Sequence, residues 1–164
     1  MMMKKFKILD NKLKGVTFRP SPNQSGDIFP EYIIIHDTGS RTEEGAISWM
    51  LERQSRVSAH LHIARNGNIV QLVEFNKRAY HAGVSNYAGR SDFNWWSIGI
   101  ELQNTGVEDY PEVQVERLIG VCRALLKAYP TIRMILGHRD ISPDRKVDPN
   151  DFFPMERIRK EVFG

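Results

Sequence analysis

YIIIHDTGS (residues 32–40) is the stretch that decides the fold, because it joins a strongly apolar segment to a histidine and a turn. Its first four residues are apolar and rich in β-branched side chains. Such a run predicts a strand that is buried on both faces, as the strands of parallel sheets are. His36 closes the run, and the break DTGS follows it. The stretch therefore predicts a central strand with a polar side chain at its end.

A second apolar run ends in the same way. TIRMILGH (131–138) is predicted to be the last strand, and His138 closes it. SIGIELQN (97–104) predicts another strand, with Glu101 on the face opposite to its apolar residues. Neighbouring strand ends are where α/β sheets place their chemistry. We therefore expect His36 and His138 to lie close together.

The remaining segments predict helices and a hairpin around these strands. The expected elements are a helix from the capping box Ser40 and Glu43 to about Gln54, a hairpin over 58–73 around Asn66-Gly67, a helix opened by Asp109 and Glu112 that ends at Tyr129, and a short helix near Pro154. Residues 1–31 are expected to be an irregular N-terminal arm. The pattern predicts an α/β fold: a single domain over residues 1–164 with a central mixed β-sheet flanked by α-helices.

Composition and charge indicate an ordinary soluble globular protein. The chain has 164 residues, of which 41% are apolar and 26% are charged. No apolar run approaches the roughly 18 residues that span a bilayer, and no signal peptide is visible. We therefore expect a monomer that is cytoplasmic as synthesised and that could reach the cell wall only on release. The net charge of +3, with scattered Lys and Arg, supports a nucleic-acid partner so weakly that none is expected.

Ionisable residues are concentrated in GHRDISPDRKVDPN (137–150), directly after the last strand. Asp148 in this loop could join His36 and His138 as a third ligand, leaving the fourth position open as in a catalytic zinc site. The alternative is that the two histidines are hydrogen-bonded structural residues and that Asp148, which precedes a proline, forms a turn. The spacing of these residues leaves both interpretations open.

Two further charged residues have a structural and a catalytic interpretation. Lys146 is by default a solvated loop lysine, although it lies two residues from Asp148. Glu101 is a carboxylate inside an apolar strand and needs a partner, because a buried charge without one is costly. A water molecule on a metal ion would be such a partner. His60 and His62 could simply cover the outer face of the hairpin.

Seven motifs occur along the chain in a family-specific order. They are SPN at 21, IIIHDTGS at 33, GAISWML at 45, VSAHLHIARNGNIVQLV at 57, RAYHAGVS at 78, SIGIELQNTG at 97 and GHRDISPDRKVDP at 137. With them the chain resembles the zinc-dependent N-acetylmuramoyl-L-alanine amidases of the amidase-2 family, which include the AmpD-like enzymes. This family shares its fold with peptidoglycan recognition proteins. The likeness covers residues from about 21 to 155.

The resemblance assigns roles to individual residues. It implies that the zinc ligands are His36, His138 and Asp148. It also implies that Lys146 helps to hold the oxyanion and that Glu101 pairs with the water on the metal. The positions that line the family's substrate groove match His60, Tyr80, His81 and Asn94. The other charged residues of the 137–150 stretch are expected to brace the loop: Arg139, Asp140, Asp144 and Arg145.

Two departures from the family pattern are visible. Many relatives have tryptophan where this chain has Tyr80, so the aromatic platform is kept but is smaller. Some phage and animal relatives have a catalytic tyrosine where this chain has Ala59. Those phage relatives can lack the glutamate, and Glu101 is therefore expected to perform that role here.

The reaction that the resemblance implies is hydrolysis of the amide between the lactyl group of N-acetylmuramic acid and the L-alanine of the stem peptide. The nucleophile would be a zinc-activated water, and the partner would be peptidoglycan or a soluble muropeptide. The alternative is a non-catalytic peptidoglycan-binding module. The presence of all three zinc ligands argues against this alternative. Residues 37–57 leave room for about one helix, so we expect an open groove without a large lid.

Overall fold

The computed structural model describes residues 3–164 of the chain, which form twelve short strands and four α-helices in the described part. The strands are Ile8–Leu9 (β1), Lys12–Leu13 (β2), Thr17–Phe18 (β3), Gln24–Asp27 (β4), Tyr32–Asp37 (β5), Leu61–Ile63 (β6), Ile69–Gln71 (β7), Lys77–Ala79 (β8), Asn86–Tyr87 (β9), Arg90–Ser91 (β10), Ser97–Leu102 (β11) and Met134–Gly137 (β12). The helices are Glu43–Leu51 (α1), Glu112–Ala128 (α2), His138–Ile141 (α3) and Met155–Phe163 (α4).

A six-stranded mixed sheet forms the centre of the protein, in the order β12-β5-β11-β6-β7-β3. Its neighbouring strands are parallel, except for the antiparallel hairpin of β6 and β7. The predicted α/β fold with a central mixed sheet and flanking helices is confirmed. The predicted hairpin is present too, and Gly67 in its turn has a φ of +89°, a conformation that favours glycine.

One face of the sheet packs against α2 and α4. The apolar residues of β5 and β11 alternate, so that Ile35 and Ile100 point to this face as a register pair. The buried stripe of α2 covers them with Val115, Leu118, Ile119, Cys122 and Leu125. Cys122 is fully buried, and this burial raises the pKa of its thiol to about 12. It therefore has the packing role that its place in the apolar stripe predicts.

The opposite face of the sheet carries the polar residues of the strands. Helix α1 covers part of it and buries Ile47 and Met50 against Val70 of β7. A second small cluster beneath α3 contains Ile34 and Phe93. The side chains at the carboxyl ends of β5 and β11 lie between these two clusters and line a cavity.

Several boundaries differ from the sequence expectations. The irregular arm expected over residues 1–31 is not found in the described residues 3–31, because β1 to β4 lie in them, and β3 and β4 pair with β7 and β8. Thr42, not Ser40, caps α1 by accepting a hydrogen bond from the Gly45 amide. Pro111, not Asp109, precedes α2. The last strand ends at Gly137, so His138 is the first residue of α3. None of the helices within residues 3–164 is long and apolar enough to cross a membrane.

Candidate active site

The carboxyl ends of three neighbouring parallel strands place the polar residues. His36 near the end of β5 is the register partner of Glu101 in β11. Gly137 of β12 is the partner of Ile35, so that His138 directly after it lies beside His36. The sheet therefore brings together residues that are 102 positions apart in the sequence.

His36, His138 and Asp148 form a compact group of three. The two Nδ1 atoms of the histidines are 3.0 Å apart. Each of them is 3.5 Å from Oδ2 of Asp148. Both rings are buried, whereas the side chain of Asp148 keeps 19% of its exposure. One atom from each residue can reach a common metal ion, since these ligand atoms all lie within 4.8 Å of one another.

Hydrogen bonds assign the proton on each of these two imidazole rings. Nε2 of His138 is 2.9 Å from the carbonyl oxygen of Ala82, which can only accept, so Nε2 carries the hydrogen. The hydroxyl of Ser97 donates to the Phe93 carbonyl and accepts from Nε2 of His81. Nδ1 of His81 is then an acceptor, and Nε2 of His36 donates to it across 3.0 Å. Nδ1 is therefore the unprotonated nitrogen in both rings.

This assignment tests whether the three residues fit a metal ion. Two nitrogen lone pairs and a carboxylate oxygen converge on one point, and all three repel one another unless a cation lies between them. Each ligating histidine is held through its other ring nitrogen, as is usual around metal sites. The residues fit a cation with nitrogen and oxygen ligands, and the described part of the chain contains this one group that could hold a metal ion.

The electrostatics of the group agree with that fit. Burial lowers the pKa of His36 to about 4, so its ring is neutral at physiological pH. A neutral imidazole and an ionised carboxylate are the states in which these side chains bind metal ions.

Glu101 lies beside the three residues. Its Oε1 is 4.0 Å from Nδ1 of His36, and its side chain is 16% exposed. Burial and the charges of Asp148 and Asp37 raise its pKa well above the usual value, and the charge of Lys146 lowers it. Glu101 can therefore hold a proton near neutral pH more readily than an ordinary glutamate.

A cavity of about 710 Å³ opens above these residues. Four of the residues that the sequence analysis named as site residues line it: Lys146, Tyr80, His81 and Asn94. Among the lining residues that sequence reasoning did not assign to the cavity are one tryptophan and three arginines: Trp49, Arg56, Arg78 and Arg145. These residues are far apart in the sequence, so no single motif indicated that their side chains meet at one cavity.

His60 differs from the other predicted groove residues. It is fully buried, and its Nε2 is 2.7 Å from the carbonyl of Lys77. Its Nδ1 accepts a hydrogen bond from the amide of Gly99. His60 therefore connects the strands beneath the cavity, and among the described residues it is not one that lines the cavity.

Asn94 and His81 face the cavity and also shape its wall. Oδ1 of Asn94 accepts hydrogen bonds from the amides of His81 and Ala82, at 3.0 and 2.7 Å. His81 is 7% exposed and lies behind His36. Both residues thus help to hold His36 in position.

The loop that carries Asp148 is braced by its charged neighbours. The Arg139 amide donates to the carbonyl of Asp148, and the carboxylate of Asp140 accepts from the Gly137 amide. Arg145 donates to the carbonyls of Ala82 and Val84. Within residues 3–164, Asp144 makes no such hydrogen bond. Three of the four residues expected to brace the loop therefore have contacts that do so.

A further anchor of this loop escaped the sequence reasoning. Asp37, directly after the first ligand, accepts hydrogen bonds from the Tyr110 hydroxyl and from the Asn150 amide. Its own amide is 3.3 Å from Oδ2 of Asp148. The end of β5 therefore holds the loop of Asp148 through the carboxylate and the amide of one residue, Asp37.

Comparisons with known proteins agree with this fold. The amidase-2 family, described as N-acetylmuramoyl-L-alanine amidase, matches residues 25–151. The 1,6-anhydro-N-acetylmuramyl-L-alanine amidase AmpD of Escherichia coli K12 is 52% identical over 105 residues, which cover 63% of this chain and 57% of that protein. The matched part thus spans less than two thirds of this relative.

Solved structures extend the likeness over the whole chain. A crystal structure of a selenomethionine AmpD derivative has a TM-score of 0.77 and 34% identity, and the match covers 99% of both chains. AmpDh3 of Pseudomonas aeruginosa, in complex with anhydromuramic pentapeptide, has a TM-score of 0.74 and 26% identity, with 83% of this chain and 61% of that chain covered. Since the family match covers most of the chain and the fold agrees, the chain belongs to the amidase-2 family of N-acetylmuramoyl-L-alanine amidases.

Proposed function

We propose that the protein is a zinc-dependent amidase that hydrolyses the bond between the lactyl group of N-acetylmuramic acid and L-alanine of the stem peptide. The observation that carries this proposal is the convergence of two imidazole lone pairs and a carboxylate beside Glu101, inside an open cavity. Three protein ligands of this type, with room for a fourth, are typical of catalytic zinc sites. Membership of the amidase family and the anhydromuramic pentapeptide bound by AmpDh3 support the substrate class.

Zinc in the site formed by His36, His138 and Asp148 would supply a Lewis acid and lower the pKa of a water ligand from about 15.7 towards 7. The protein's own residues move the protons. Glu101 accepts a proton from the attacking water and passes it to the nitrogen of the leaving L-alanine. Its raised pKa suits the second transfer, because the carboxyl group keeps the proton until the nitrogen takes it up as the C–N bond breaks.

Lys146 is proposed to stabilise the oxygen of the amide as negative charge develops on it. It lines the same cavity as Glu101, and its charge is close enough to lower the pKa of that residue. An ammonium group already placed where charge develops stabilises the transition state more than the substrate. Arg56 and Arg78 on the cavity wall extend the positive charge and complement the carboxylates of a stem peptide.

We expect Lys146→Ala to lower kcat by roughly 100-fold, the usual effect of removing one such donor, while the metal content stays stoichiometric. Metal analysis and steady-state kinetics on one defined muropeptide measure both quantities. Lys127→Ala is the matched control, because it removes an exposed lysine from the end of α2, which packs on the other face of the sheet. Unchanged kcat in Lys146→Ala would leave the lysine as an ordinary loop residue.

Mass analysis of reaction products tests the proposed function directly. The zinc-loaded protein is incubated with a defined anhydromuropeptide and, separately, with insoluble peptidoglycan sacculi. We expect an intact stem peptide with a free L-alanine amino group from both substrates, because α1 and the turn after it leave the cavity open. Uncleaved substrate that still binds the protein would favour a non-catalytic peptidoglycan-binding module, and activity confined to soluble fragments would contradict the open groove.

A further inference from the structure

Two neighbouring residues account for an unusual concentration of unpaired polar atoms. In the part of the chain that the structure describes, six buried side-chain atoms have no hydrogen-bond partner. Three of these six are Nδ1 and Nε2 of His62 and Oε2 of Glu101. Buried polar atoms are nearly always paired, so such a cluster requires a specific explanation.

The strand register places these two side chains next to each other. Glu101 of β11 is the register partner of His36 in β5 on one side and of His62 in β6 on the other. Register partners of parallel strands point to the same face of the sheet. His62 therefore stands on the face that carries the active site, between Glu101 and Val70 of β7.

The two oxygens of Glu101 have different surroundings. Oε1 is the atom near the metal group, at 4.0 Å from Nδ1 of His36. Oε2 is buried and has no hydrogen-bond partner, and β6, which carries His62, is the neighbour of β11 on the side away from β5. The carboxylate thus has one oxygen for the reaction and one oxygen that needs a donor within the protein.

His62 is suited to be this donor. It is fully buried, and burial alone lowers its pKa to about 4, so the ring is neutral. A neutral imidazole always carries one N–H group, which must find an acceptor when it is buried. The other named neighbour on this face, Val70, is apolar, which leaves Oε2 of Glu101 as the adjacent acceptor.

The two side chains are not hydrogen-bonded to each other in this structure, and each has a polar atom without a partner. We propose that His62 is a positioning residue for Glu101: a small rotation of the two side chains lets the His62 ring N–H donate a hydrogen bond to Oε2 of Glu101, which directs Oε1 towards the cavity. This inference rests on the proposed amidase function. A carboxylate that is held at one oxygen loses its rotational freedom, so the other oxygen stays at the place where the proton is transferred. The assignment gives the buried histidine a function that a leucine of similar size could not have.

Kinetics of three His62 variants test the proposal. His62→Leu is expected to lower kcat roughly tenfold or more, with KM and zinc content unchanged, because the hydrogen bond positions the base and does not bind substrate. His62→Asn and His62→Gln place an amide N–H near Nδ1 and Nε2, respectively. One of them is expected to recover kcat to within about threefold of wild type. In a Glu101→Gln background, His62→Leu is expected to cause little further loss.

Nuclear magnetic resonance of the imidazole ring gives a readout that does not depend on activity. We expect one slowly exchanging ring N–H proton of His62, in metal-free and zinc-loaded protein, whose signal moves upfield in Glu101→Ala. Wild-type kcat in His62→Leu, a loss that neither amide variant reduces, or a His62 signal that ignores Glu101→Ala would overturn the proposal. Wild-type protein that cleaves no muropeptide would instead contradict the proposed function, and the ring signal would still test the hydrogen bond.

Discussion

Glu101→Gln is expected to lower kcat by about 10²–10⁴-fold, the usual contribution of a general base, while KM and zinc content change little. The amide has the shape of the carboxylate but cannot accept the proton of the attacking water. Oε1 of Glu101 lies 4.0 Å from Nδ1 of His36. Glu101 is therefore beside the proposed metal site but is not one of its three ligands, which are His36, His138 and Asp148. Loss of turnover with retained metal is therefore the expected pattern.

Steady-state kinetics on a defined muropeptide and metal analysis of the same preparation measure this effect. Glu112→Gln is the matched control, because this glutamate lies on α2 in an ion pair with Arg157, away from the cavity. Its kinetics are expected to equal those of the wild type. Near-wild-type kcat in Glu101→Gln would show that the residue is structural and that another group transfers the proton.

His36→Ala is expected to abolish stoichiometric zinc binding and to lower activity by about 10³-fold or more, since only two ligands remain. The domain should stay folded, because the apolar core on the opposite face of the sheet does not involve this residue. Removing one of the two facing lone pairs also relieves repulsion in the metal-free protein. The variant is therefore expected to be a folded protein without metal.

Metal analysis and thermal unfolding with and without zinc distinguish these effects. Zinc at 100 times its dissociation constant should stabilise the wild type by about 2.7 kcal/mol and leave the Tm of His36→Ala unchanged. Asp144→Ala removes an exposed carboxylate from the same loop and is expected to behave as the wild type. Wild-type protein that takes up no stoichiometric zinc after replenishment would contradict the metal site itself.

The central elements of the fold could be predicted because their signals are local. The apolar β-branched run at 32–36 and the alternation at 97–104 correspond to β5 and β11. The strands β3 and β4 could not be predicted, since each has only two to four residues and exists through its pairing with β7 or β8. Such pairing depends on contacts between residues that are far apart in the sequence. A local sequence pattern holds no information about these contacts.

The place of the site was also predictable, and the directions of several side chains were not. Histidines that close neighbouring strands indicated where His36 and His138 meet. His60 lies in a matching motif, yet its ring bonds to the backbone of Lys77 and Gly99 beneath the cavity. A motif gives the position of a residue along a strand, whereas the partners of its ring depend on the neighbouring strands. The unpaired atoms of His62 likewise became visible only with burial and register.

The order of strands in the sheet has a consequence for how the chain folds. Strand β12 lies at one edge beside β5, and the histidines at the ends of these two strands, His36 and His138, are 102 residues apart. Parallel pairing over such a separation is slow, because a long loop must close, with a loss of conformational entropy, before the stabilising contacts form. A nascent chain would expose His36 well before His138 and Asp148 leave the ribosome. Binding of the proposed zinc ion would therefore be a late event that stabilises the finished protein and does not accelerate the early steps of folding.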